Sequence, residues 1–201
     1  MHGLGADASD MMGLAEQFDT QDVAIRHVFI DAPTRPVTLH GGMIMPAWYD
    51  ILGMELVDRE DKPGIEQSEL LIREVMESQL NDGFESNQIF LAGFSQGGAM
   101  ALHTALHTST RLGGVIALSA YLPLAAHNQP KLDKNTPFFI ASGQFDSLVL
   151  PLWTKKSEDW LFASGYVDIS SHHYPMEHSI CVEEIKDISL WLIKQAKRSF
   201  Q

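Results

Sequence analysis

Short apolar runs and stretches of helical period alternate along most of the chain. Residues 89–92, Gly114–Leu118 and residues 137–142 are unbroken apolar runs bounded by turn residues, the pattern of strands buried on both faces. Residues 23–30 read as a further strand, stopped by Asp31-Ala32-Pro33, and residues 167–174 as the last one. Between them lie amphipathic stretches. Leu71, Ile72, Val75, Met76 and Leu80 share one face of a helix over 66–80, ended by Asn81-Asp82-Gly83. A helix over 152–163 closes at Gly165, and one over 182–197 buries Ile185, Ile188, Leu192 and Ala196 with Lys194, Lys197 and Arg198 near its negative end. Near the start, Ser9 is placed to cap a helix carrying Met11, Leu14, Ala15 and Phe18. Strands alternating with helices predict an α/β fold with a mostly parallel sheet and helices on both faces.

One stretch lacks periodicity. Residues 34–64 hold Pro36, Gly41, Gly42, Pro46, Gly53, Pro63 and Gly64, and read as a long loop, which inside a compact domain is usually functional. Its Met43, Met45, Trp48, Tyr49, Ile51 and Leu52 suit either a surface groove for an adaptable apolar ligand or core beneath a loop.

Composition narrows the picture. With 201 residues, 45% of them hydrophobic and 20% charged, the chain suits one globular domain spanning 1–201. A formal charge of −12 argues against nucleic acid, whose phosphates need clustered Lys and Arg. The single Cys181 excludes an internal disulfide and any multi-cysteine metal site. No apolar run approaches a transmembrane span and no signal pattern opens the chain, so a cytoplasmic location is the simplest expectation.

The candidate chemistry begins at Gly93-Phe94-Ser95-Gln96-Gly97, where an apolar strand passes into a helix. Gly-x-Ser-x-Gly in that context is a nucleophile elbow, a tight turn that holds the serine hydroxyl exposed above the sheet. A serine needs a base, and the base an orienting acid, which in this architecture follow in the order Ser, Asp or Glu, His, each after a later strand. Asp146 follows the strand over 137–142, and His178 follows the strand over 167–174. Asp133 and Asp159 read as solvated, and Asp168 falls at the remote end of the last strand. Among the other histidines, His172 and His173 lie within that strand, and His27, His40 and His127 have no evident partner. His103 and His107 have metal-ligand spacing on the elbow helix, yet no further carboxylate or histidine evidently joins them; they read as surface or packing residues, and no metal is expected.

Assembled, these residues resemble the phospholipase/carboxylesterase family of small α/β hydrolases, to which the acyl-protein thioesterases belong. The likeness runs over the whole chain: His2-Gly3-Leu4-Gly5 is similar to its oxyanion loop, and Ala32-Pro33, Pro36-Val37-Thr38, Gly42, Met45 and Trp48-Tyr49-Asp50-Ile51 to its signature stretch. Gly93-Phe94-Ser95-Gln96-Gly97-Gly98 is similar to its elbow, and Pro175-Met176-Glu177-His178 with Glu183-Glu184-Ile185 to its histidine region. The resemblance implies an α/β-hydrolase fold with Ser95 as nucleophile, Asp146 as acid, His178 as base, and the backbone N–H groups of Leu4 and Gln96 as oxyanion hole. It implies hydrolysis of short- to medium-chain acyl esters, acyl-protein thioesters or lysophospholipids, without a cofactor. The acyl chain is expected along Met43, Met45, Trp48, Leu148 and Val149, and an exposed groove there leaves room for a homodimer.

Two departures accompany it. Ser142-Gly143 and Ser147 stand where the family has a His-Gly and a proline around the acid. Family members also carry one or two strands before the His-Gly loop, the second beside the elbow strand. A chain starting at Met1 is expected to leave backbone groups unpaired at the sheet's centre, each costing about 1–3 kcal/mol if dry. Either the protein starts upstream, or it is rearranged there. The competing expectation is a non-catalytic homologue or fragment that keeps the acyl groove without a competent oxyanion hole.

Overall fold

The computed structural model describes residues 1–21 and 23–199. Its centre is a parallel sheet of β3 (Phe90–Phe94), β4 (Gly114–Leu118), β5 (Phe138–Gly143) and β6 (Ile169–Tyr174), in that order. The apolar runs made these strands because each must bury both faces. Val115, Ala117, Phe138 and Ile140 pack into one cluster with residues of α2 (Lys62–Asn81), α3 (Gln96–His107) and α4 (Pro151–Ala163). Their alternates Ile116, Leu118, Phe139 and Ala141 pack into the other, against Ile188, Trp191 and Leu192 of α5 (Val182–Ser199). Leu14 of α1 (Ala8–Ala15) and Phe18 just beyond it pack on that second face. The cap of α1 is Asp7, not Ser9: its carboxylate accepts the Ser9 N–H at 2.7 Å while Asp10 accepts the Asp7 N–H at 3.1 Å.

Two sequence expectations change. Residues 34–64 are not all loop: β1 (Thr34–Val37) and β2 (Met43–Pro46) pair antiparallel from Thr34↔Pro46 to Val37↔Met43. Strands of four residues containing Pro36 and Pro46 carry too little alternation to be read locally. Residues 23–30, in contrast, form no strand. They run along an apolar slot whose other wall includes Leu91, Ala92 and Gly93 of β3, and without a neighbour to share hydrogen bonds an apolar run has no ladder to join. β3 is therefore the outer strand of the four. Among the described residues, Met1 continues along its free edge, its amino group donating to the Ala92 carbonyl at 2.8 Å and its carbonyl accepting from the Phe94 N–H at 3.1 Å.

The first turn of α5 contains Glu183 and Glu184. Glu184 is buried, and burial pushes its carboxyl up to about 7 from 4.5, against the pull of the Cys181 backbone N–H. A folded-state pKa above the unfolded one means the native state holds the extra proton between those values, so stability falls as pH rises from 4.5 to about 7 and is level above. The contribution is on the order of 3 kcal/mol. Urea unfolding at pH 5 and pH 8 should show this fall, and Glu184→Gln should flatten it and be the more stable protein at pH 8. An unchanged pH dependence in the variant would assign the slope to other groups.

Candidate active site

A parallel sheet brings the carboxyl ends of its strands to one edge, and loops after three of them meet there. β3 leads into Ser95, whose φ of 54° and ψ of −120° lie where non-glycine residues are seldom found, and α3 starts at the next residue. The turn depends on its glycines. A Cβ on Gly93 would stand 2.2 Å from the Gly97 carbonyl carbon, and one on Gly97 would stand 2.4 Å from the Met1 carbonyl oxygen. The loops after β5 and β6 are drawn together at Gly143, where a Cβ would meet the Glu177 carbonyl oxygen at 2.3 Å. The Phe145 N–H donates across the same gap to the Met176 carbonyl at 3.0 Å.

These contacts bring Ser95, Asp146 and His178 into one hydrogen-bonded row. His178 Nε2 lies 2.9 Å from Ser95 Oγ, and its Nδ1 lies 2.7 Å from Asp146 Oδ2. Asp146 is buried, and its Oδ1 accepts the N–H groups of Leu148 and Val149 at 2.9 Å each. Burial opposes its ionisation, but the bonds from His178, Val149 and Leu148 outweigh that and hold the carboxyl below the usual aspartate range. An anionic Asp146 fixes the proton of neutral His178 on Nδ1, which leaves Nε2 to accept from the serine. The Phe94 ring packs against the imidazole with centroids 4.8 Å apart.

The His-Gly loop crosses directly over the elbow, so that a Cβ on Gly3 would lie 3.3 Å from Ser95 Cβ. Among the described residues, the N–H groups of Leu4 and Gln96 have no hydrogen-bond acceptor, as donors for a substrate oxygen require. The loop is held from three sides. His2 is fully buried; its Nε2 accepts the Ala32 N–H at 2.9 Å, so the ring proton sits on Nδ1 and is donated to the Gly3 carbonyl at 2.7 Å. The Trp48 indole N–H donates to the His2 carbonyl at 2.9 Å, and the Gly5 N–H to the Pro46 carbonyl at 2.9 Å. The Gln96 side chain completes the frame: Oε1 accepts the Trp48 N–H at 2.8 Å and Nε2 donates to the Tyr49 carbonyl at 2.7 Å. Ser68 donates its hydroxyl to the Trp48 carbonyl from α2.

That frame corrects the expected acyl groove. Trp48 is 0% exposed and Val149 is 3% exposed, so neither lines a surface groove; Trp48 braces the His-Gly loop and Val149 holds Asp146. Met43 and Leu148 are 63% and 64% exposed, and Met45 is half-buried with its sulfur beside Gly5. The bracing roles of His2, Trp48 and the Gln96 side chain were not readable in advance. Their residue types stood within the motifs, but the bonds that tie them to Ala32, Trp48 and each other span at least 30 positions of chain.

The sequence profile of the phospholipase/carboxylesterase family matches residues 1–195. The chain belongs to that family. Acyl-protein thioesterase 1 of Yarrowia lipolytica is 35% identical over 207 residues, covering 98% of this chain and 90% of that protein. Acyl-protein thioesterase 1 of Neurospora crassa is 33% identical, with coverage of 97% and 84%. The crystal structure of Arabidopsis thaliana SOBER1 superposes with a TM-score of 0.89 at 26% identity, covering 100% of this chain and 96% of that one. Zea mays acyl-protein thioesterase 2 shares the fold, with a TM-score of 0.80. This member of the phospholipase/carboxylesterase family is thus a hydrolase with the α/β-hydrolase fold. Among the described residues, no helix is long and apolar enough to cross a membrane.

Proposed function

We propose that this hydrolase cleaves carboxylic esters and thioesters through an acyl-enzyme formed on Ser95. The observation that carries the reading is the row Asp146–His178–Ser95, with both hydrogen bonds under 3 Å. Ser95 Oγ attacks the acyl carbonyl while His178 Nε2 takes its proton, and Asp146 steadies the imidazolium that results. The Leu4 and Gln96 amides receive the negative charge of the tetrahedral oxygen, each donor of this kind being worth about 10²–10³ in rate. His178 then returns the proton to the departing alcohol or thiol. Water repeats the sequence on the acyl-enzyme, releasing the acid and free Ser95.

The names of its relatives support thioesters of acylated proteins as substrates, and the name of its family supports carboxylic esters and lipid esters beside them, which we take as short- to medium-chain esters and lysophospholipids. No step needs a metal or an organic cofactor. Met43 and Met45 of β2 and Leu148 in the loop after β5 are the remaining candidates for acyl contact, being exposed or half-buried. A fluorophosphonate probe tests the reading directly. It should label one residue stoichiometrically, mapped by peptide mass to Ser95, with loss of p-nitrophenyl butyrate turnover in step with labelling. Absence of both labelling and turnover would make the chain a non-catalytic acyl-binding homologue instead.

A further inference from the structure

We propose that Glu69, His103 and His107 form a binding site for a divalent transition-metal cation, zinc in the first instance, that clamps α2 to the far end of the elbow helix. His103 and His107 stand one turn apart on α3, and α2 packs against α3 so that Glu69 faces both. Glu69 Oε2 lies 3.1 Å from His103 Nε2 and 3.4 Å from His107 Nδ1, and one ligand atom from each of the three residues lies within 4.8 Å of the others. A tetrahedral zinc ion with bonds of about 2.0–2.1 Å holds its ligands roughly 3.4 Å apart, so little movement closes the three onto one ion. Two histidines and one carboxylate are a common zinc donor set, with water in the fourth position.

The surroundings fit this use. Arg73 donates to Oε1 of Glu69 at 3.3 Å and to the His107 carbonyl at 3.3 Å, which orients the carboxylate and leaves Oε2 toward the imidazoles. His103 is buried, whereas Glu69 and His107 are half-buried, so an ion reaches the site from solvent. The protein's formal charge of −12 favours cation entry. Coordination transfers the ring protons, to Nδ1 on His103 and to Nε2 on His107, with no net release from neutral rings. His107 Nδ1 gives up its 2.9 Å hydrogen bond to the His103 carbonyl, and His103 Nδ1 has no outer partner among the described residues. Because such partners are worth about 10–100-fold in affinity, binding is micromolar rather than nanomolar.

The site is separate from the catalytic row. His103 is eight residues beyond Ser95, about 12 Å along the helix axis at 1.5 Å per residue. It also answers the objection that the histidine pair had no third ligand. The carboxylate comes from another helix, 34 positions before His103.

Zinc titrated into EDTA-stripped protein by calorimetry should bind with one equivalent, and cobalt should give the intense visible bands of a four-coordinate ion. Glu69→Gln and His107→Asn, the latter at a half-exposed position and checked for native circular dichroism, should each weaken zinc at least tenfold. At a hundredfold excess over the wild-type Kd, zinc should raise the wild-type Tm by about 5–10 °C, and the same zinc concentration should raise that of either variant by about half as much or less. The proposal is overturned if stripped protein takes up no zinc at 0.1 mM (about that concentration sets the upper limit of a useful micromolar site). Equal binding by wild type and variants, with the ion located at other histidines such as His178, overturns it as well.

Discussion

Ser95→Ala is expected to lower p-nitrophenyl butyrate turnover by about 10⁶-fold, and Asp146→Asn by about 10⁴-fold, each in a protein of unchanged fold. The second figure follows from the geometry at Nδ1. Asp146 Oδ1 already accepts two backbone N–H groups, so the amide introduced by Asp146→Asn would present its NH₂ to His178 from the Oδ2 position, 2.7 Å away. That donor selects the tautomer with its proton on Nε2, which cannot accept from Ser95. The double variant should be scarcely slower than Ser95→Ala alone, because in the proposed mechanism the carboxylate acts only through the base and the nucleophile. Steady-state kcat for the four proteins checks this, and Asp146→Asn retaining a tenth of wild-type turnover would remove the carboxylate from the mechanism. Since bonding holds the Asp146 carboxyl below the usual aspartate range, the stability it contributes is fully present above that range and is lost only as pH falls through the lowered folded-state pKa.

Trp48→Ala should cost about 3–5 kcal/mol of stability, the usual range for emptying a core position of an aromatic ring. It also removes the indole N–H that holds the His2 carbonyl, so the Leu4 amide loses one of its supports. The loss of kcat/KM should therefore be the same, on the order of tenfold or more, for acetate, butyrate and octanoate esters, since an oxyanion donor meets the same carbonyl in each. A loss that grows with acyl length would return Trp48 to the groove in which the sequence alone places it. Denaturant unfolding and kinetics on the three esters read both effects. Met43→Ser and Leu148→Ser serve as comparison, because both side chains are exposed and neither joins the bracing network.

How much was legible follows from the range over which each feature is encoded. Residues of β4 and β5 announce themselves because burial on every side demands unbroken apolar or small side chains. Ser95, Asp146 and His178 could be proposed as partners because each follows a strand, and parallel strands deliver their following loops to one edge whatever the packing detail. Residues 23–30 have the composition of a strand, but pairing is a property of two chains of backbone, and only the structure shows the slot beside β3 with no ladder across it. The same limit hid Glu69 from His103, and Trp48 and Gln96 from the loop they brace. Periodicity and chain order, which act between near neighbours, determined the elements and the order of the catalytic candidates. Hydrogen bonds and ligand distances between residues far apart in the chain were decided by tertiary packing, because directional contacts of about 3 Å exist only once the helices and strands have settled against one another.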